Sequence, residues 1–389
     1  IEIDMSSSHT ETVDVPSFWT KGLVRNVDTD TDYYKIQHAI DNASAGDTLN
    51  VCAWTYYENV EVDKKLTIIG NGTGNTTING TSGSGHILKI LPEDDADSSS
   101  ISHLRIENNS NDGYNGIYVA AHSVTISNVV VEDIHGCAIR GDSVDNLEIF
   151  NSIITDSSCG IYKSSGGNNF RIENSTVSHI SNRAIEIGDC ECSDSSATVY
   201  RNLIHNNTKG VFTYTENTLM HSNTIVDNSD AGILLNADNS LLINNTILRN
   251  DDGIAITSGS DSTKIEGNTI QDNEIGLNLD PQNGGNVDNT YLWNNTITSN
   301  EDYDIKIGTN SENDYAINTS FDTISVGSGS SLVIKEYFVL DVNDASGNNM
   351  SGIDIKVMED TTPKYGSSYF GGSDPKTNSY GTIEIFLIN

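Results

Sequence analysis

The stretch from His221 to Leu277, HSNTIVDNSDAGILLNADNSLLINNTILRNDDGIAITSGSDSTKIEGNTIQDNEIGL, decides the fold. One phrase returns three times in it, as HSNTIVDN, INNTILRN and EGNTIQDN. Its central Asn stands at Asn223, Asn245 and Asn268, a period of about 22 residues. Each phrase is followed by a small residue and an aliphatic one: Gly232-Ile233, Gly253-Ile254 and Gly276-Leu277. Helical spacing is absent, and Ile alternates with polar residues as in a strand with one face turned inward. A unit of this size cannot bury its apolar face alone; stacked units make one continuous core. The period predicts a coil of three short strands, repeated. A leucine-rich repeat has a similar period but needs a Leu skeleton that this chain lacks.

The pattern extends outward. Upstream lie TISNVVVED, EIFNSIITD, RIENSTVSH and VYRNLIHNN, and downstream WNNTITSN. Together they align Asn128, Asn151, Asn174, Asn202, Asn223, Asn245, Asn268 and Asn295, mostly one period apart with an occasional longer step. Asn tolerates left-handed backbone geometry at a tight turn, and stacked copies can bond along the axis. These eight are therefore expected to form a structural ladder. Five residues further on, Asn207, Asn228, Asn250, Asn273 and Asn300 predict a second ladder, and Asp133, Asp156 and His179 fall at the same offset on earlier coils.

The open end of a solenoid needs a cover. Residues 33–43, YYKIQHAIDNA, place Ile36, Ala39 and Ile40 on one helical face and predict a capping helix. The run KIQHAIDNASAGDTLNV…TYYENVEVDKKLTIIG resembles the start of NosD-like, pectate-lyase-superfamily β-helix proteins, a type frequent at archaeal cell surfaces. Over roughly residues 30–320 the resemblance implies an all-β, right-handed, single-stranded parallel β-helix and an exported, extracellular location. The copper-enzyme maturation carried by the name NosD finds no Met- or His-rich cluster here. Three regions are expected: an N-terminal extension (1–30), the β-helix with its cap (31–320) and a tail (321–389). In the tail, alternating apolar and polar residues resemble a carboxypeptidase-regulatory-like or Ig-like β-sandwich. The strand-like IEIDM at the start runs along its own rod or completes a neighbour's tail by strand addition. The chain opens on Ile1 rather than Met, which reads as a processed or partial N-terminus.

Charge narrows the partners. Asp and Glu number 55 against 20 Lys and Arg, a formal net charge of −35. Such a surface repels nucleic acid and anionic lipid. No apolar run of about 18 residues exists to span a membrane. Eleven Asn-x-Ser/Thr sequons are candidate glycosylation sites: Asn42, Asn71, Asn75, Asn79, Asn108, Asn174, Asn206, Asn244, Asn294, Asn318 and Asn349. Their alternative reading is chance in a chain rich in Asn, Ser and Thr. Five cysteines leave one over. Cys137 and Cys159 lie one period apart, so they fall in adjacent coils within disulfide reach, or else stack as buried thiols. The pairing of Cys52, Cys190 and Cys192 stays open, and no zinc-ligand spacing occurs.

Three functions compete. The rod's stiffness, acidic exterior, sequons and odd thiol fit self-association into a surface layer, sheath or filament. The superfamily resemblance implies a rival, a polysaccharide lyase or glycoside hydrolase. Asp251-Asp252 and His135-Gly136 resemble hydrolase motifs of the superfamily, but in reversed order and about five coils apart, and the Arg-x-Lys motif is missing. A tighter group is Asp133, Asp156 and His179 on successive coils, with Arg140, Glu132, His135 and Asp142 near in sequence. Stacked carboxylates there can do acid–base work or hold Ca²⁺, with Asp133 and Asp156 as ligands. No other cofactor is indicated. The alternative is that they are polar substitutions in the Asn ladder. A third function is a carbohydrate-binding adhesin, with Tyr56, Tyr57, Tyr114 and Tyr118 as candidate sugar platforms.

Overall fold

The computed structural model describes residues 23–80, 85–92, 96–110, 113–164, 166–192, 196–257, 260–279, 287–359 and 362–388. The chain winds as a parallel β-solenoid. Each coil lays one strand into a first sheet and two into a second. In one coil these are Thr218–His221, then Thr224–Val226 and Ile233–Leu235. Each strand pairs in parallel with its counterpart one coil on: Met220 with Leu242, Ile225 with Ile247, Ile233 with Ile254.

Inward positions therefore stack into columns of one kind of residue. The second-strand column runs from Ile78 through Ile106, Val131, Ile154, Val177, Ile204, Ile225, Ile247 and Ile270 to Ile297, all fully buried. Branching at Cβ limits rotamers and suits a pleated surface. Burial of each such side chain contributes about 1.5–3 kcal/mol, repeated coil after coil.

The turns on either side of the second strand share one device. A residue with left-handed backbone faces outward, and the next residue sends its side chain inward to bond along the axis. The first ladder is Asn202, Asn223, Asn245, Asn268 and Asn295, each at most 2% exposed. In each step the backbone N–H and Nδ2 of one Asn donate to Oδ1 of the next, for instance Asn223 to Asn245 at 2.9 Å twice and Asn245 to Asn268 at 2.8 and 3.0 Å. Nδ2 of Asn245 also donates to the carbonyl of Met220 at 2.9 Å. Upstream, Ser152 and Ser175 take over the same place.

Three of the eight expected ladder residues therefore stand elsewhere. Asn128, Asn151 and Asn174 are one position earlier, at the outward residue, with φ of 53°, 49° and 49°. The second ladder holds Asn207, Asn228, Asn250, Asn273 and Asn300, and Asp304 closes it by accepting from Asn300 Nδ2 at 2.8 Å. Asp133, Asp156 and His179 are not substitutions in that ladder. Their φ values of 55°, 47° and 54° mark them as the outward residues before it, while Ile134, Ser157 and Ile180 fill the inward place. The same geometry accounts for six of the sequons. Asn108, Asn174, Asn206, Asn244, Asn294 and Asn318 are all left-handed turn residues, each two places before a Ser or Thr.

The helix Ile36–Asn42 buries Ile36, Ala39 and Ile40 over the first coil, as the amphipathic spacing predicts. Val24–Asn26 pairs antiparallel with Thr48–Val51 and starts the first sheet. The IEIDM segment lies outside the described residues. At the other end parallel pairing passes residue 320, through Ile324–Val326 and into Leu332–Asp341. That last strand then pairs antiparallel with Thr382–Ile388, and Lys356–Glu359 pairs with Thr362–Gly366. A small cluster of Tyr365 and Ile383, against Leu340, Ile355 and Val357, packs this end. Among the described residues no helix is long and apolar enough to cross a membrane.

Replacing Asn245 by Ala removes the acceptor of two buried donors, each costing about 1–3 kcal/mol unsatisfied. A loss of about 3 kcal/mol is expected in urea unfolding, against about 1 kcal/mol for Asn128→Ala, where only the left-handed backbone is at stake. Equal losses at the two positions would contradict the assignment of Asn128 to the turn.

Candidate functional site

Two successive coils carry long strands, Val130–Gly141 and Ile153–Lys163, that run through the turn and merge the second and third strands. Between Ile134 and Cys137 the first holds one residue more than its partner between Ser157 and Cys159, so a bulge forms at His135–Gly136. Bulges of this kind re-aim side chains. Gly136 is required there, because a Cβ would sit 2.2 Å from the carbonyl oxygen of Tyr114.

A cleft follows the bulge on both sides. Its first part, about 670 Å³, is lined by Asp133, Asp156 and His179 with Asn108, His135 and Ser158. Its second part, about 530 Å³, is lined by His86, Tyr118, Arg140, Asp142, Cys137 and Cys159, and shares His135, Ser158 and Ser181 with the first. Asp133, Asp156 and His179 thus form one wall, as their spacing suggests. Arg140 belongs to the opposite part, across His135.

Hydrogen bonds hold the first wall. Thr155 Oγ1 donates to Asp156 Oδ2 at 2.8 Å and lies 3.4 Å from His179 Nδ1. The His179 ring meets His205 edge-on at 6.0 Å. Burial, then His179, holds the His205 imidazole below its ordinary value.

The second wall draws on an outward column of the third strand, Lys89, Tyr118, Arg140, Tyr162, Glu186 and Phe212 in consecutive coils, of which Tyr118 and Arg140 line the cleft. His86 stacks on Tyr118 with ring centres 4.5 Å apart, and its Nδ1 accepts from the Asn115 backbone N–H at 3.0 Å. Burial, then Lys89 and Arg140, depresses the pKa of His86. Arg140 Nε donates to Asp142 Oδ1 at 2.9 Å, and its guanidinium lies 4.8 Å from the centre of the Tyr162 ring. Burial and the Asp142 carboxylate, which accepts its hydrogen bond, push Tyr118 up.

Cys137 and Cys159 are register partners in adjacent coils, but both are free thiols rather than a disulfide. A hydrogen bond with the Cys137 thiol, together with burial, pushes the Cys159 thiol up. Cys52 is also free. Cys190 and Cys192 have no described side chains. Among the described residues no group of three or more His, Cys, Asp or Glu side chains is placed to hold a metal, at Asp133 and Asp156 or elsewhere. Asp251 and Asp252 stand five coils beyond His135. Of the tyrosines, Tyr56 is buried, its hydroxyl donating to the carbonyl of Leu23 at 2.8 Å; Tyr57 is exposed near the capped end; Tyr114 meets His86 edge-on. Sequence reasoning missed His86, His205 and Tyr162. The register that joins Tyr118, Arg140 and Tyr162 one period apart was the available signal.

A family model described as "Right handed beta helix region" matches residues 93–238, 142–291 and 223–321. No curated protein matches the sequence. Among solved structures, the A-module of mannuronan C-5 epimerase AlgE4 of Azotobacter vinelandii superposes with a TM-score of 0.57, at 20% identity, over 76% of this chain and 90% of that one. The Streptococcus pneumoniae surface protein and adhesin PfbA gives 0.52 at 14% identity, over 76% and 92%. The catalytic domain of a GH87 alpha-1,3-glucanase in complex with tetrasaccharides gives 0.50 at 15% identity, over 73% and 63%. At these identities the likeness is one of fold.

His86 contributes stability as a neutral imidazole. Its folded pKa lies below the ordinary 6.5, so that contribution is complete above about pH 6.5 and declines as pH falls toward the folded value. The unfolding midpoint is expected to drop between about pH 7.5 and 5.5, and His86→Gln to flatten part of the drop. An unchanged slope in the variant would remove His86 as its source.

Proposed function

We propose that this chain, which belongs to the right-handed β-helix family, is a carbohydrate-active protein that binds a polysaccharide along the cleft and cleaves its glycosidic bonds. One observation carries the reading: two outward columns, Asp133–Asp156–His179 and Tyr118–Arg140, line the two parts of one cleft over the same coils around the bulge. The first offers acids and imidazoles. The second offers the half-buried ring of Tyr118, against which the apolar face of a sugar can lie.

Glycoside hydrolysis needs two carboxyl groups flanking the scissile bond. Asp133 and Asp156 are one coil apart, so their backbones are about 4.8 Å from each other. That spacing suits the short carboxyl separation, about 5–5.5 Å, at which one group attacks the sugar and the other transfers the proton. Asp156, whose Oδ2 is held by the Thr155 hydroxyl, takes the part of nucleophile, and Asp133 that of acid and base. Two of the structural neighbours support a carbohydrate reading: one is a mannuronan C-5 epimerase and another a glucanase in complex with tetrasaccharides. They give no comparable support to a surface-layer, sheath or filament subunit. An exported protein working outside the cell is part of the same proposal.

A second reading is a glycan-binding adhesin; the pneumococcal neighbour is a surface protein and adhesin. It is favoured by the backbone at Asp133 and Asp156: the left-handed turn position takes Asn206, Asp227, Arg249 and Asp272 on other coils, without any cleft chemistry being needed.

The test is release of reducing ends from a panel of polysaccharides. Asp133→Asn and Asp156→Asn are each expected to lower turnover at least 100-fold, about 2.7 kcal/mol of barrier, with binding retained. Turnover unaffected by both substitutions would exclude these residues from the chemistry. Binding without turnover in the unaltered protein would decide for the adhesin.

A further inference from the structure

We infer that the glycan this cleft accepts is uncharged, not a polyuronate. The inference rests on the carbohydrate reading above and names its ligand class.

The argument is one of charge. Among the described residues the cleft is lined by three carboxylates, Asp133, Asp142 and Asp156, and by one cation, Arg140. That cation is already bonded to Asp142. The cations that flank the cleft are engaged in the same way: Lys89 with Glu61 at 3.4 Å, Arg105 with Glu132, Arg183 with Glu186, and Lys209 with Asp230 at 3.0 Å. Each has a carboxylate of its own, and none of these is held out for one on a sugar. His86 does not add positive charge either. Its Nδ1 accepts the Asn115 backbone N–H, a bond that protonation of this nitrogen would break. Around all this the chain carries a net charge of −35. A uronan presents a carboxylate on every sugar. Within a screening length of about 8 Å at physiological salt it would meet Asp133 and Asp156 with no opposing charge to offset them.

A neutral glycan meets the opposite situation. Its hydroxyl groups donate, and the carboxylates of Asp133 and Asp156 accept with more capacity than any neutral side chain. A C–H face of the sugar lies against the half-buried ring of Tyr118, which His86 backs on one side. The paired arginine and carboxylate beside it, Arg140 and Asp142, supply both donors and acceptors at one level. Nothing in this arrangement requires charge on the ligand.

The experiment is binding of the full chain to neutral polysaccharides (glucans and mannans) and to polygalacturonate and alginate, at low and high salt, with EDTA and with added Ca²⁺. Binding to at least one neutral polysaccharide, nearly independent of salt and of Ca²⁺, is expected. Tyr118→Ala is expected to weaken it at least tenfold. The double variant Asp133→Lys/Asp156→Lys is expected to gain polyuronate binding at least tenfold, in a salt-sensitive way. Tighter binding of the unaltered protein to a polyuronate than to any neutral polysaccharide overturns the inference and leaves the carbohydrate reading standing, including when that binding needs Ca²⁺ as a bridge. Binding to neither class overturns both.

Discussion

The register between successive coils is the constraint on which this molecule depends. No coil satisfies its own backbone, because the N–H and carbonyl groups of each strand are used by the strands above and below. The inward Ile column and both Asn ladders repeat that arrangement with side chains. A slip of one residue would turn the Ile column outward and the polar face inward, so the register is strongly specified. Extra length is accommodated only where it does not disturb the columns. From Ile172 to its partner Val199 the chain takes a longer path than from Ile149 to Ile172, and the surplus falls around the long strand Arg183–Cys192, beyond the stacked positions.

That constraint explains what could be read from the sequence. A column repeats a residue type at a fixed interval, so Asn223, Asn245 and Asn268 announce both the period and the stacking. The interval does not say which of two adjacent residues turns inward, and here Asn serves at both. At Asn128 it is chosen for tolerating positive φ, and at Asn245 for an amide that donates and accepts at once. The two uses are physically unrelated but sit one residue apart, so an alignment of Asn alone merges them. The sequons have the same origin. Asn294-Asn295-Thr296 is a left-handed turn residue, a ladder residue and the first residue of a strand, and a glycosylation signal results from fold geometry alone. Their abundance therefore says little about glycans.

The site was legible by column and not by motif. Asp133, Asp156 and His179 could be grouped because they recur at one offset, and they do line one wall. His86, across the cleft, was harder to see, since it lies in a coil whose length differs from the rest. Cys137 and Cys159 show how far spacing reaches. A separation of one period makes them register partners, but adjacency is only a condition for a disulfide. In this structure the two sulfurs share a hydrogen bond instead.

The inward columns are fixed by packing, whereas the outward ones are constrained only locally. The left-handed turn column holds Asn, Asp, His, Arg and Ser in turn, and the outward strand column holds Lys, Tyr, Arg, Glu, Phe and Leu. Substituting within either leaves the core and the ladders intact. Such a rod can carry chemistry on its surface with little loss of stability, and a single polar residue there is weak support for function. Coincidence of columns is stronger. A cleft arises where the bulge at His135–Gly136 breaks the regular wall, and over those same coils one column turns acidic while the other becomes aromatic and cationic. Regular stacking makes neither change necessary. Their overlap at the one described bulge in the stacked wall of Val130–Gly141 is what separates this face of the rod from the rest of its acidic surface.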